Sequence, residues 1–453
     1  MQAAADRFRR LRARATDSPK GRAGIEYGRR IGGSNGTATI IGSADRANPN
    51  GAAFANGELI NTLDYDAVLP PGHVTPYVLP GALAAGEELG VSGRTLIVAS
   101  AVAHEMSFRI GKAMDYLRDT SGGKVTPPEV YGYSSTVFGA TAAIARTRGL
   151  GRAAMADALG IAGCISPVNS QVAWFQHAPS STIKYLLAGA LTQAAFTASF
   201  MAELGHRGDP QVLDDRQFGF PRFIGTKRWE PDSITLGLGT EWRFPAEQSY
   251  KPYPHCRIMH ALFGSLEDII DQHGLKLEEI DGIKAYIEGF AEQPVWTNRT
   301  IGHVHDAQFS MAHGIAVAAH RVPPGKAWLD PEFVTSPSVM NLMAKVTTEV
   351  HPDYVKLLTS HGASRPARIE LTARGQTFVA ERRYPKGSPS PEPGTAMTNE
   401  ELIAKFRHNA EGVIAPAAAE RFVEMVMGLE QVADIGTAMR LLAVPAALAR
   451  AAE

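Results

Sequence analysis

The string LDYDAVLPPGH brings together residues able to move a proton. His73 follows Pro70-Pro71-Gly72, a turn that can project its ring from a loop. A histidine there can act as general acid or base near neutral pH. Asp64 is placed to orient that ring or a substrate hydroxyl, whereas Asp66 reads as a helix or turn cap. Two lysines, Lys184 in STIK and Lys251 in SYKPYPHCR, would supply positive charge. Burial would depress a lysine pKa enough for proton transfer. On residue type alone, Lys184 reads as a solvated helix-start lysine and Lys251 as a surface lysine. Arg257 can grip a carboxylate with two parallel N–H bonds, or serve a structural salt bridge. His303 and His305 in HVHD would share one side of a strand, but no third metal ligand accompanies them, so a polar strand end is expected. His104-Glu105 lacks the second histidine of a zincin helix, and no glycine-rich phosphate loop occurs.

Most of the elements that must position these groups read as helices. Residues 1–30 form a short polar helical stretch ahead of a glycine-rich turn, and 37–42 (TATIIG) an extended segment. Residues 52–63, 80–90 and 93–114 carry apolar positions at helical spacing. Residues 138–163 read as two helices broken at Gly149 and Gly151, and 181–205 as a long helix stopped by Gly205. Their alanine and glycine content points to close helix–helix approach. The pattern changes near residue 245. A strand follows a helix within 274–291, and 367–385 reads as a strand pair turning near Gly375. The Pro/Gly/Ser-rich 386–398 is a loop, after which helix returns. The expected fold is mainly α with an α+β part: a large all-helical domain from 1–244 and 396–453, with a smaller α+β lid domain at 245–395. A cleft between two such domains suits a small molecule.

Bulk composition agrees with a soluble, two-domain globular chain. Of 453 residues, 44% are hydrophobic and 20% charged, and the net charge of -1 provides no field for nucleic acid or an anionic membrane. The chain has two cysteines, Cys164 and Cys256, which fits a reducing cytoplasm, with Cys164 expected as a small buried hydrophobe. The N-terminus is arginine-rich but has no apolar signal-peptide run, and no stretch approaches a membrane span.

Four ordered segments resemble the MmgE/PrpD family: AAFANGELINTLDYD (52–66) with His73 beyond it, FGATAAIARTRGL (138–150), STIKYLLAGALTQAAFTASFMAELGHRGDPQVLDDRQFGF (181–220) and SYKPYPHCRIMH (249–260). QFSMAHGIAVAA and RRYPKGSP…TNEELIAKFR extend the likeness, which covers about residues 30–410. The resemblance implies a helical domain with an α+β lid, a homodimer, and no metal or organic cofactor. It also implies an enzyme that breaks a bond beside a carboxylate of a small di- or tricarboxylic acid. A hydro-lyase of 2-methylcitrate dehydratase type is the favoured expectation. Decarboxylation of a cis-aconitate-like acid and epimerisation of a dicarboxylate are the alternatives, and a non-catalytic ligand-binding homologue stands behind them.

Such chemistry needs a base, an acid and cations for the carboxylates. By resemblance, Lys184 and Lys251 match active-site lysines, with Asp64 and His73 beside them. The departures fall in the same motifs. Where the family has a GFHPT-like string with a catalytic histidine, this chain has GYSST, so Ser134 takes that place, or Val130 or Tyr131 if the alignment is gapped. Tyr133 is a substitute acid. His313 stands where some members have a tyrosine, and Cys256, with His255 beside it, where the decarboxylase has a lid histidine. Ala67 replaces the second aspartate of the family's DD, and Asn61 a histidine. Catalytic roles are therefore expected for Asp64, His73, Lys184, Lys251, Tyr133 and His313, and substrate contacts for Arg257, Ser134, His255 and Cys256.

Overall fold

A computed structural model describes residues 16, 18–33, 36–116, 118–167, 171–184 and 187–444. The first part of the chain is helical: α1 (Pro19–Gly32), α2 (Pro49–Thr62), α3 (Thr75–Leu89), α4 (Gly93–Ala113), α5 (Thr136–Thr147), α6 (Arg152–Cys164) and α7 (Ala188–Glu203). Ser18, Asn48 and Ser92 cap α1, α2 and α4 by accepting a backbone N–H of the first turn. α2 is central, packing against α1, α3 and α7, and its residues are nearly all buried. Small residues permit this: a Cβ added to Gly28 would lie 2.5 Å from the Gly51 carbonyl oxygen. The extended segment expected at 37–42 shrinks to β1 (Ala38–Thr39), paired with β2 (Arg46–Ala47).

The second part opens with α8 (His260–His273) and contains β3 (Ile280–Ile287), α9 (Met311–Ala319), β4 (Val346–Val350), β5 (Ala367–Ala373) and β6 (Gln376–Arg382). The sheet order is β4-β3-β5-β6. β3 runs parallel to β4 and antiparallel to β5, and β5 is antiparallel to β6. Alternating burial along β5 puts Ile369 and Leu371 under α8, while β6 is a half-exposed edge. The β5–β6 turn uses Arg374 and Gly375, both at positive φ, as a two-residue hairpin requires. α10 (Asn399–Ala410) and α11 (Pro416–Met427) follow, and the helix Gly436–Leu441 packs on α3, returning the chain to the helical part.

Three expectations are corrected. The helix read over 181–205 begins at Ala188, so Lys184 lies in an irregular segment before it. That segment is fixed by outside bonds: Trp174 Nε1 donates to the Ser181 carbonyl, and Lys184 Nζ to the Asn61 carbonyl. HVHD does not end a strand. His303 caps a helix at Val304–Phe309, its ring accepting from the His305 N–H, while Asp306 accepts from the His303 N–H. Cys164 is exposed at the end of α6, not buried. The helix expected within 1–30 is found as α1, and residues 1–15 lie outside the described residues.

Candidate active site

α2 ends at Thr62, and the chain turns sharply at Asp64, whose φ of 50° lies in the left-handed region. Aspartate tolerates that conformation better than most residues, though glycine is the usual occupant of this position after a helix. The turn sends the fully buried Asp64 carboxylate among three basic groups. Lys184 Nζ lies 2.8 Å from Oδ1, Lys251 Nζ 2.7 Å from Oδ2, and His73 Nε2 3.3 Å from Oδ1. Lys184 Nζ also donates at 2.8 Å to the Asn61 carbonyl, in the last turn of α2, which accepts the Asp64 N–H at 3.2 Å as well. An ammonium there also meets the negative end of the helix dipole.

Lys251 arrives from the segment before α8, held by a two-way backbone bridge between Val68 and Ser249 at 2.8 Å in each direction. Tyr65 Oη donates to the Pro252 carbonyl. Lys405, on α10, ties the two segments again: its Nζ donates to the Tyr65 carbonyl at 2.6 Å and the Lys251 carbonyl at 2.9 Å, over the Tyr65 ring. Burial, reinforced by the charge of Lys251, pushes the Lys405 pKa down to about 7.

His73 sits on a tight loop closed by backbone bonds between Leu69 and Gly72. Its Nδ1 lies 2.6 Å from Asp66 Oδ2. The cap expected of Asp66 is thus replaced by a buried partnership with the histidine, which the sequence reading missed. The LDYD spacing held the only signal for it. A carboxylate on Nδ1 fixes the ring and leaves Nε2 as the nitrogen able to exchange a proton. Tyr133 stacks beside His73 at 6.3 Å between ring centroids. Its phenol packs so closely on Gly72 that a Cβ there would lie 2.1 Å from the phenol oxygen.

The electrostatics follow from burial and pairing. Burial alone would raise the Asp64 pKa, but Lys184, Lys251 and His73 together hold it well below the usual carboxylate range. Asp66 is likewise lowered against its burial, chiefly by His73. Burial brings Lys184 down to about 8, with Asp64 resisting. That is near enough to neutrality for the lysine to give or take a proton. Burial drives Tyr133 well above the ordinary phenol range, which suits a hydrogen-bond donor better than a proton source.

The remaining expected residues are placed as follows. Ser134 is fully buried in the turn Gly132–Ser135 ahead of α5. Cys256 is buried beside Lys251 and Asp64, its thiol pushed up to about 11 by burial and the Asp64 charge. His255 accepts the Cys256 N–H on Nδ1, with Nε2 against the Ser310 carbonyl. Burial lowers its pKa to about 3, so it is neutral at working pH. Arg257 donates from Nη1 to Ser249 Oγ at 2.7 Å. His313 makes no hydrogen bond to the group: its Nε2 is bonded to the Val334 carbonyl at 2.8 Å, in the helix Pro331–Val334, and it borders the site as an electrostatic neighbour of His255.

Asp64, Asp66 and His73 offer ligand atoms within 4.8 Å of one another, a spacing that admits a metal ion. Both Asp64 oxygens already face ammonium groups, however, and a divalent cation would have to displace them. Three basic side chains thus gather around two carboxylates, an arrangement that suits an anionic substrate.

Comparison with known proteins agrees with this architecture. The MmgE/PrpD N-terminal domain model matches residues 12–232, and the MmgE/PrpD C-terminal domain model matches residues 253–431. The chain belongs to the MmgE/PrpD family. Within that family it is similar to cis-aconitate decarboxylase of Homo sapiens, with 26% identity over 92% of this chain and 84% of the relative. The cis-aconitate decarboxylase of Aspergillus terreus is 25% identical over 90% of this chain and 84% of the relative. The MmgE/PrpD fold is thus realised here as mainly helical with a small mixed sheet, and its relatives are enzymes. Among the described residues no helix is long and apolar enough to cross a membrane.

Proposed function

We propose that this chain is a lyase that breaks a bond beside a carboxylate of a small di- or tricarboxylic acid. Loss of water from an acid of the 2-methylcitrate type is the first reading. The observation that carries it is the buried convergence of Lys184, Lys251 and His73 on Asp64. The two lysines neutralise the substrate carboxylate as negative charge builds on the adjacent carbon. His73, oriented by Asp66, takes the α-proton on Nε2. The Lys184 ammonium protonates the departing hydroxyl, so that the C–H and C–O bonds break, a C=C bond forms and water leaves. Two groups able to transfer protons flank one carboxylate site, as an elimination needs. Tyr133 and Ser134 fill the space of the family's GFHPT-like histidine and donate hydrogen bonds to the substrate. In this proposal His255, Cys256 and His313 shape the site without moving protons.

Decarboxylation is a second reading, supported by the named activity of the relatives. Here CO2 leaves, and His73 or Lys184 returns a proton to carbon. The proposal also includes a homodimer in the cytoplasm, and a lid covering 245–395.

Incubation in deuterated water with 2-methylcitrate, cis-aconitate and iminodisuccinate separates the outcomes. An alkene with release of water supports dehydration, and release of CO2 supports decarboxylation. Deuterium at the α-carbon without net loss supports epimerisation. No conversion of any acid, with binding retained, overturns the lyase reading in favour of a ligand-binding homologue. Lys184→Ala is expected to lower turnover at least ~100-fold, and near-normal turnover would remove Lys184 from the mechanism.

A further inference from the structure

A second group of cations lies behind the loop that carries His73. A cavity of about 490 Å³ is lined by Pro70, Pro71, Tyr131, Gly132, Arg118 and Arg365. Arg118 is bound through Nε and Nη2 to the buried carboxylate of Glu288, at 2.6 and 2.8 Å. Arg257 is an electrostatic neighbour of Arg118, and Arg365 of both. Among the described residues neither Arg257 nor Arg365 forms an ion pair. Arg257 has the Ser249 hydroxyl as a neutral partner. Arg365 is 93% buried, its Nη1 donates only to the Gly362 and Ser364 carbonyls, and its Nε has no hydrogen-bond partner. Of the nearby acids, Glu288 acts on both Arg257 and Arg365 but both its oxygens are bound by Arg118, Glu247 pairs with Lys112, and Asp115, which lines the cavity, accepts the Arg228 N–H on Oδ1 while its Oδ2 has no hydrogen-bond partner among the described residues.

Buried guanidinium groups without a carboxylate are costly unless an anion completes them. Burial and the neighbouring arginines both disfavour the charge of Arg365, whose pKa is well below the ordinary arginine value. The Cys256 thiol is an electrostatic neighbour of Asp64 and Lys251 and also of Arg118, so it links the two basic groups. Pro71 and Gly132, which line the cavity, are close in sequence to His73 and Tyr133.

We propose that Arg118, Arg257 and Arg365 form an anion subsite for a carboxylate of the substrate remote from the bond that breaks. This rests on the lyase reading for the identity of the ligand, and it selects di- and tricarboxylates over monocarboxylates. A guanidinium matches a carboxylate with two parallel N–H bonds, which a lysine cannot do.

Calorimetric binding of citrate and of propionate tests the subsite without turnover. Arg365→Gln is expected to weaken citrate binding at least ~10-fold and to leave propionate binding within about twofold. Arg365→Lys should recover only part of the loss, and Lys112→Gln, at the cavity rim, should change citrate binding by less than about twofold. A thermal unfolding profile like that of the parent would show that Arg365→Gln folds. If Arg365→Gln misfolds, Arg257→Gln replaces it with the same expectation. Unchanged citrate affinity in a folded variant would overturn the subsite while leaving the lyase reading intact. Arginine-dependent citrate binding in a protein that converts no carboxylate would retain the subsite and overturn the lyase reading.

Discussion

Replacing Asp64 by asparagine keeps the shape of the site and removes its central charge. Lys184 Nζ is 2.8 Å from that carboxylate. At an effective dielectric of about 20, a unit pair at this distance attracts by roughly 6 kcal/mol, about four pKa units. Even if relaxation and entering water halve the effect, the Lys184 pKa moves from about 8 to about 6. The lysine would then be largely neutral at pH 7.5, and the substrate carboxylate would lose one of its cations. The assay is kcat/KM from pH 5 to 9 on the acid identified by the deuterium experiment. In the parent protein activity should fall as pH rises through about 8. In Asp64→Asn that alkaline limb should move about two units toward acid, with activity at pH 7.5 down roughly 25-fold from the loss of the protonated lysine and a smaller deficit at pH 5.5. A variant profile that is lowered uniformly, with its limb unmoved, would refute Asp64 as the counter-charge of a working lysine.

Other consequences follow from burial and close packing. Lys405 and Lys184 have folded pKa values near 7 and 8, below the unfolded lysine value, so between these values and about pH 9 the unfolded chain binds more protons. Stability to urea should therefore rise from pH 7 to 9, by up to roughly 3 kcal/mol, and much of that rise should vanish in Lys405→Met; a flat profile in the parent would contradict the buried lysines. Above about pH 10.5, where unfolded lysine also loses its proton, the raised thiol pKa of Cys256 and the raised phenol pKa of Tyr133 reverse the trend. Iodoacetamide at pH 7.5 should label Cys164 and spare Cys256 in the native protein, and label both after denaturation; equal native rates would contradict the burial of Cys256. Gly72→Ala should drive Tyr133 out of place, costing about 1–3 kcal/mol in denaturant titration, and a variant as stable as the parent would show that the contact is slack.

The helices were legible wherever apolar spacing and a stop coincided, as at 93–114 and at the Gly149–Gly151 break. The β5–β6 hairpin was equally clear from its alternation and Gly375. The helix after Lys184 was read as starting too early, at 181, because what holds the lysine's segment out of it, the Asn61 carbonyl, lies far away in sequence. Local motifs brought out Asp64, His73, Lys184 and Lys251, which the fold then brings within bonding distance. Asp66 was assigned to a cap because a short acidic residue after a helix has a ready local use. Nothing local could identify Lys405, Arg118 or Arg365, since their partners come from remote segments. His313 was chosen by resemblance alone, and the Val334 carbonyl that engages it is invisible to a motif.

Lys405 also sets an order of events in biosynthesis. Its ammonium clasps carbonyls from residues 65 and 251, so the carboxylates, the histidine and both lysines are all translated well before the group that fastens their strands together. A nascent chain would hold every proton-moving side chain yet lack the fastening between the two stretches of backbone that carry them, until α10 left the ribosome. Completion of this centre therefore waits on the emergence of α10.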